Sequence, residues 1–302
     1  MNRHPVSSPS GALVDAVEQL GHTKISVRIG AIYALGHLAL HDDQLLDVVD
    51  RILSAHLRLV FHEINHDVRP AASPLSDDLG PDPAPSPQAR ETTSAPQAAF
   101  EEATACLRAL SMVAEKSPFD GFRLDHVRWP SGTWGPDVRA TKVNAPGADL
   151  RGVSLCGAEL THADLSNASW AHGALADAVL AGADLSHADL SSADLSNADL
   201  SGTDLTGAHL VRADLTGANL TAAYLAHADL TAADLTTVRC EGADLTGADL
   251  SHADLTEAEL SGADLTGSVV DEATYARHRV ELAQWELTDG ELRRAQDATT
   301  GR

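Results

Sequence analysis

The chain has 302 residues and a formal net charge of −23, from 44 acidic residues against 21 Lys and Arg. That balance excludes direct nucleic-acid binding, because phosphate contacts need clustered Lys and Arg. Three cysteines (Cys106, Cys156 and Cys240), without metal-ligand spacing or an even pairing, exclude a disulfide framework and point to a reducing cytoplasm.

The N-terminus lacks a charged-then-apolar signal pattern, and no apolar run approaches the length of a membrane span, so a cytoplasmic protein without a membrane span is expected. Residues 1–10 read as a disordered tail and residues 11–118 as a helical domain. Val27, Ile29, Ala31, Ile32, Ala34, Leu35, Leu38 and Ala39 form a broad apolar stripe, and Leu45 to Leu59 form another. The stretch from Val27 to Ala39 resembles the second helix of a HEAT-type repeat. Residues 70–96, centred on Pro81 to Pro87, are too rich in Pro, Ser, Ala and Asp to bury a core and read as a linker or long loop. Ala98 to Glu115 returns to helix, with Phe100, Ala103, Leu107, Leu110 and Ala114 on one side, and is expected to pack back on the first helices. His62 and His66 have helical i, i+4 spacing but lack the Glu of an HExxH motif, so no metal site is assigned there.

Residues 119–147 carry a weaker in-facing series, Phe119, Phe122, Leu124, Val127 and Trp129, and read as an irregular leading coil with Pro130 to Pro136 as a bulge. From Ala148 the chain is written in five-residue words. Leu occupies nearly every fifth position from Leu150 to Val270, with Trp170, Cys240 and Val270 as the replacements, and Ala dominates two places earlier. A period of five fits neither the 3.6-residue helix nor the two-residue strand. It fits a chain that turns a corner in each word, with Leu and Ala filling a narrow interior and Asp between them facing out. Fixed-period self-similarity of this kind marks a solenoid.

The Ala-Asp-Leu words resemble the A(D/N)LXX motif of the pentapeptide repeat family. The resemblance implies a β solenoid, a right-handed quadrilateral β-helix with four words per coil and about six regular coils over residues 148–270, hence a rod about 30 Å long at the usual strand spacing. The helical region before the words is similar to that of some actinobacterial members. Residues 271–302 then read as a C-terminal helix and tail. Asp271 caps a helix containing Ala273, Ala276, Val280, Ala283 and Leu287, which closes the last coil. Tyr275, Leu282 and Trp285 widen its apolar face and offer a homodimer contact through that helix as the alternative use.

Ser, Asp and His recur on exposed ridges with no nucleophile elbow or cleft, so neither catalytic residues nor a cofactor are assigned and the protein is read as a non-enzyme. With four words per coil, every twentieth residue shares a face. One face then carries Asp164, Asp184, Asp204, Tyr224, Asp244 and Asp264, and another carries Asp194, Asp214, Asp234 and Asp254. Residues 148–270 hold 15 Asp and four Glu against three Arg, a net charge of −16. Duplex DNA carries roughly 17 charges over about 30 Å. Some pentapeptide repeat proteins bind DNA gyrase and protect it from quinolones or peptide toxins, so the resemblance implies a DNA-mimicking topoisomerase binder as one function. A scaffold or regulatory interaction protein, with the helical domain binding a protein partner and the rod as spacer, is the other.

Overall fold

The computed structural model describes residues 9–67, 95–116, 132–133 and 139–295. Among the described residues four helices come first: α1 (Pro9–Leu20), α2 (Ile25–His41), α3 (Leu46–Asp67) and α4 (Ala95–Lys116), with a 3-10 turn, Asp43–Leu45, between α2 and α3. Each buries a stripe at three-four spacing. In α3 it comprises Val49, Leu53, Leu57, Val60, Phe61 and Ile64, and in α4 Ala103, Cys106, Leu107, Leu110 and Val113. α2 packs against both α1 and α4. A Cβ added at Gly36 would lie 3.3 Å from the Ala109 Cβ, so glycine permits the close approach of α2 to α4 there. The Pro-rich segment expected at 70–96 lies outside the described residues up to 94, its last two residues opening α4, and most of the expected leading coil also lies outside them.

A buried carboxylate ties three of these helices together. Glu102 on α4 is 1% exposed and accepts from Arg28 Nε and Nη2 on α2, both at 2.7 Å, and lies 2.8 Å from His56 Nε2 on α3. Burial alone would raise its pKa, but the hydrogen bonds from His56 and Arg28 bring it below the ordinary carboxylate range. Without those partners an ionised carboxylate here would cost several kcal/mol, about 3–5 for a broken buried pair.

The five-residue words form a β-helix. Isolated parallel bridges join each outward residue to the one 20 positions on, as in Asp164 to Asp184 and Asp184 to Asp204, so one coil takes four words. Within a word the Leu and Ala positions are buried, apart from Ala258 and Leu260 near the end of the rod, which are half-buried. Where a next coil exists, the Leu amide donates one coil forward, as Leu185 does to the Asp204 carbonyl at 2.7 Å, and the preceding Asp amide donates one coil back, as Asp184 does to Ala163 at 2.8 Å. At the corners, Ala168 N donates to Leu165 O at 3.0 Å across a turn whose third residue, Asn167, has φ +57°. Gly, Asn and His recur at that position because only the left-handed conformation closes the corner.

The regular phase begins before Ala148. Ala140 and Ala145 already take the Leu position and Val143 the Ala position, all fully buried, and Arg139 bridges Glu159. Alanine at the large position hides the period from a reading keyed to Leu. One strand pair breaks the 20-residue step: β1 (Gly132–Thr133) lies parallel to β2 (Val153–Ser154) with Gly132 opposite Val153, a separation of 21.

The expected C-terminal helix is cut short. Among the described residues of this segment only α5 (Glu272–Arg277) is helical, and an antiparallel hairpin of β3 (Trp285–Thr288) and β4 (Glu291–Arg294) follows. The physical reason is Asp289-Gly290, whose φ values of +54° and +85° form the two-residue turn preferred in hairpins. The three-four spacing from Ala273 to Leu287 is therefore coincidental beyond Arg277.

Candidate functional site

The outward residues stack into four columns. Asn144, Asp164, Asp184, Asp204, Tyr224, Asp244 and Asp264 form the first. Asp149, Ser169, Asp189, His209, Asp229, Asp249 and Val269 form the next, five residues later in the chain. Ser154, Ala174, Asp194, Asp214, Asp234 and Asp254 follow, and Arg139, Glu159, Val179, Asp199, Asn219, Arg239 and Glu259 complete the coil. The Asp164 and Asp194 columns are two words apart, half a coil, so they lie on opposite sides of the rod. The Asp189 column between them joins them into acidity on three sides. The Glu159 column alone mixes both charges with Val179 and Asn219.

A corner explains why aspartate holds these positions. Asp184 Oδ1 accepts from Ser186 N at 2.9 Å and from Ser186 Oγ at 2.6 Å. Asp164, Asp194, Asp244, Asp254 and Asp264 make the same pair of bonds to the residue two ahead. Asp204, Asp214 and Asp234 accept the backbone bond. These are Asx turns that hold the corner open for the left-handed residue. Asn219 does the same work without charge, accepting from Thr221 N at 3.2 Å and Oγ1 at 2.7 Å. Charge and corner geometry are therefore separable. The Thr256 and Thr266 hydroxyls are the largest causes holding Asp254 and Asp264 below the ordinary carboxylate range.

Exposure differs along the columns. Asp194, Asp214 and Asp234 are exposed, whereas Asp164, Asp184, Asp204, Asp244, Asp254 and Asp264 are half-buried. Tyr224 is 55% exposed, a lone aromatic between Asp204 and Asp244. Histidines sit at corners and lean on glycine one coil ahead. A Cβ at Gly182, Gly207 or Gly247 would lie 2.5–2.6 Å from Nδ1 of His162, His187 or His227. Among the described residues no group of three or more His, Cys, Asp or Glu could hold a metal ion.

The last coil is closed by Asp271, at the expected cap, and by His278 and Glu281, which sequence reasoning did not assign. Asp271 Oδ1 accepts from Ala273 N and Thr274 N, both at 3.0 Å, as the predicted helix cap. Its Oδ2 also accepts from His252 N at 2.7 Å, in place of a next coil. Burial alone would raise the Asp271 pKa, but the Thr274 hydroxyl and these amides hold it far below the ordinary range. His278, 1% exposed, accepts from Leu255 N through Nε2 at 3.3 Å, and Glu281 Oε1 accepts from Glu257 N at 3.2 Å. Gly267 N and Val270 N donate to Leu292 and Gly290 of the hairpin. Leu282 and Trp285 are buried within this cap, and Tyr275 Oη donates to the Trp285 carbonyl at 2.9 Å. What the segment exposes is Val280, at 86%. At the other end Ser111 Oγ on α4 donates to the Arg139 carbonyl at 2.6 Å, docking the helices on the first coil.

The sequence model described as Pentapeptide repeats matches in eight copies, at residues 137–169, 174–211, 198–236 and 233–269. Over these residues the chain is a pentapeptide repeat protein. Its repeats wind the right-handed β-helix of that family. Among solved structures it is similar to a trypsin-treated form of QnrB1, a plasmid-mediated fluoroquinolone resistance protein, at 20% identity over 53% of this chain and 95% of that one, with a TM-score of 0.30. It is also similar to HetL, a pentapeptide repeat protein involved in heterocyst differentiation regulation from the cyanobacterium Nostoc sp. Strain PCC 7120, at 24% identity over 50% and 90%, with a TM-score of 0.20. A further pentapeptide repeat protein from Nostoc PCC 7120 is 41% identical over 30% of this chain and 71% of that one, with a TM-score of 0.18. No curated protein sequence matches. Among the described residues no helix is long and apolar enough to cross a membrane.

Proposed function

We propose that this pentapeptide repeat protein is a non-enzymatic acidic rod acting in protein–protein interaction, as a scaffold or regulator, and that its partner is read by charge along the Asp164 and Asp194 columns. The observation that carries this reading is acidity on three sides of the rod, with Asp194, Asp214 and Asp234 exposed in one unbroken row. We take the rod as quadrilateral with about six regular coils, and the helical domain as a second contact module. The partner works in the cytoplasm and needs a basic surface, since a like-charged one would repel a rod of this density.

Asparagine keeps the Oδ1 acceptor that each corner uses, as Asn219 already does, so Asp→Asn removes charge without removing the turn. Changing Asp194, Asp214, Asp234 and Asp254 together to Asn is expected to abolish partner cross-links found by mass spectrometry while leaving circular dichroism unchanged. An identical set of partners for both proteins refutes the columns as the contact.

A second reading, a DNA-mimicking binder of DNA gyrase or another type II topoisomerase giving protection from its poisons, is favoured by the −16 charge of residues 148–270. Its length and charge approach those of a duplex, which would suit a DNA-binding saddle. Purified protein is then expected to inhibit gyrase supercoiling or to blunt quinolone-induced cleavage. Unaltered supercoiling and unaltered poison sensitivity at excess protein remove this reading.

A further inference from the structure

Three sides of the rod repel any second copy of it. The fourth reads, from first coil to last, Arg139, Glu159, Val179, Asp199, Asn219, Arg239 and Glu259. We propose that this column is a self-complementary interface through which two copies pair, rods antiparallel, about a twofold axis level with Asp199. An axis lying in the interface and crossing the rods reverses the column of the second copy. Arg139 then faces Glu259, Glu159 faces Arg239, and Val179 faces Asn219, each pairing occurring twice, with Asp199 opposite its own equivalent. Four of the seven contacts join opposite charges and one joins like charges.

The register is specific. Sliding by one coil sets Arg139 against Arg239 in one direction and Glu159 against Glu259 in the other. Parallel rods set every residue against itself. No other column offers the pattern, because the Asp164, Asp189 and Asp194 columns carry no Arg or Lys.

Geometry along one flank of the column is compatible with close approach. Arg139, Arg239, Glu259 and Val179 are exposed. The corner row on one flank is Lys142, His162, Gly182, Gly202, Ala222, Gly242 and Gly262, so from Gly182 onward no bulky side chain stands beside the column there. Arg139 lies 3.5 Å from Glu159 within its own chain, an exposed contact that a partner carboxylate can share. At the far end a groove of about 690 Å³ is lined by Glu241, Glu257, Glu259 and Glu281, with Val280 and Trp285 on its apolar side. The twofold axis brings Arg139 and Lys142 of the second copy to this groove, where they neutralise its charge. At physiological salt the Debye length is about 8 Å, so the remaining acidic sides are screened while the contact pairs are not. Pairing in this way leaves the Asp164 and Asp194 columns open on both copies.

The experiment uses two full-length variants in which the positions of Arg139, Glu159, Arg239 and Glu259, those that form the opposite-charge pairs, all carry one sign. In one, Arg139 and Arg239 are changed to Glu; in the other, Glu159 and Glu259 are changed to Arg. Sedimentation equilibrium at physiological salt and high protein concentration is expected to show a concentration-dependent dimer for the native chain and monomers for each variant alone. An equimolar mixture of the two variants is expected to restore the dimer as a heterodimer. Matching circular dichroism melts establish that the variants fold. A native chain that stays monomeric overturns the proposal. So does a dimer unchanged in both variants, which would place the contact elsewhere, or a mixture that fails to associate.

Discussion

Gly173→Ala tests the packing rule of the rod at the one word where it is inverted. Trp170 occupies a Leu position and is fully buried, and Gly173 occupies the Ala position beside it. A Cβ on Gly173 would lie 2.3 Å from Trp170 Cδ1 and 2.7 Å from Nε1. Ordinary carbon contacts are about 3.5–4.0 Å, so more than an ångström must be recovered. The ring is enclosed between coils, and overpacking of this kind costs about 1–3 kcal/mol, the upper end applying where nothing can yield. Gly173 is not in the left-handed region, so backbone strain does not contribute. At about 2–4 °C per kcal/mol, the midpoint of a thermal melt followed by circular dichroism should fall by about 6–12 °C. Trp170→Leu alone should also destabilise, by about 2 kcal/mol, through the cavity it leaves. Together the two changes rebuild an ordinary Leu–Ala word and should recover most of the native stability. A Gly173→Ala protein that melts like the native one, or a double variant no better than the worse single, would refute the reasoning.

At the C-terminal end, Asp271→Ala should cost about 2 kcal/mol, since it removes a helix cap and the nearer of the two acceptors of the His252 amide, leaving only Thr274 Oγ1 at 3.1 Å. Because the folded pKa of Asp271 is depressed, its stabilisation is present above the unfolded value of about 3.9 and is lost as pH falls through the folded one. Acid melts should therefore converge for Asp271→Ala and native protein, and a constant gap down to the lowest pH would contradict the assignment. Thr237 holds a corner at φ +56°, a conformation costly for a β-branched residue. Thr237→Gly should stabilise by about 1 kcal/mol in urea melts; a loss would show that the Thr237 Oγ1 bond to the Thr236 carbonyl matters more. In the helical domain, burial pushes Asp50 up to about 6, with the Asp47 charge adding to it. A raised carboxylate contributes stability below its unfolded pKa and loses it as pH rises from about 4 to about 6. Asp50→Asn should thus gain about 1 kcal/mol at neutral pH, discounted for partial exposure, and show a flatter pH profile over that window.

Much of this was legible in the sequence, and the reasons are local. A five-residue period of Leu and Ala can face inward only if the chain turns in every word, so the solenoid and the in-facing set follow from Leu150 to Val270. Trp170 and Gly173 are both visible as departures, yet only their contact shows that one compensates the other. The C-terminal hairpin carried a local signal in Asp289-Gly290, obscured by a three-four apolar spacing that happened to favour helix. The start of the regular coils was hidden because Ala140 and Ala145 fill the large position. The acidic columns could be sorted by residue number once four words per coil was supposed, but not read as a single surface.

What the sequence determined by itself is the content of each word: which residues are large, small, turning or charged, since those requirements repeat within five positions. What only the tertiary structure decided is how the words meet. The 20-residue register places the Asp164 and Asp194 columns on opposite sides and leaves one mixed column between them. The end of the rod is closed by Asp271, His278 and Glu281, which reach back 19–24 residues to amides with no next coil. Those partnerships are set by where a coil runs out, and no period within the chain encodes that.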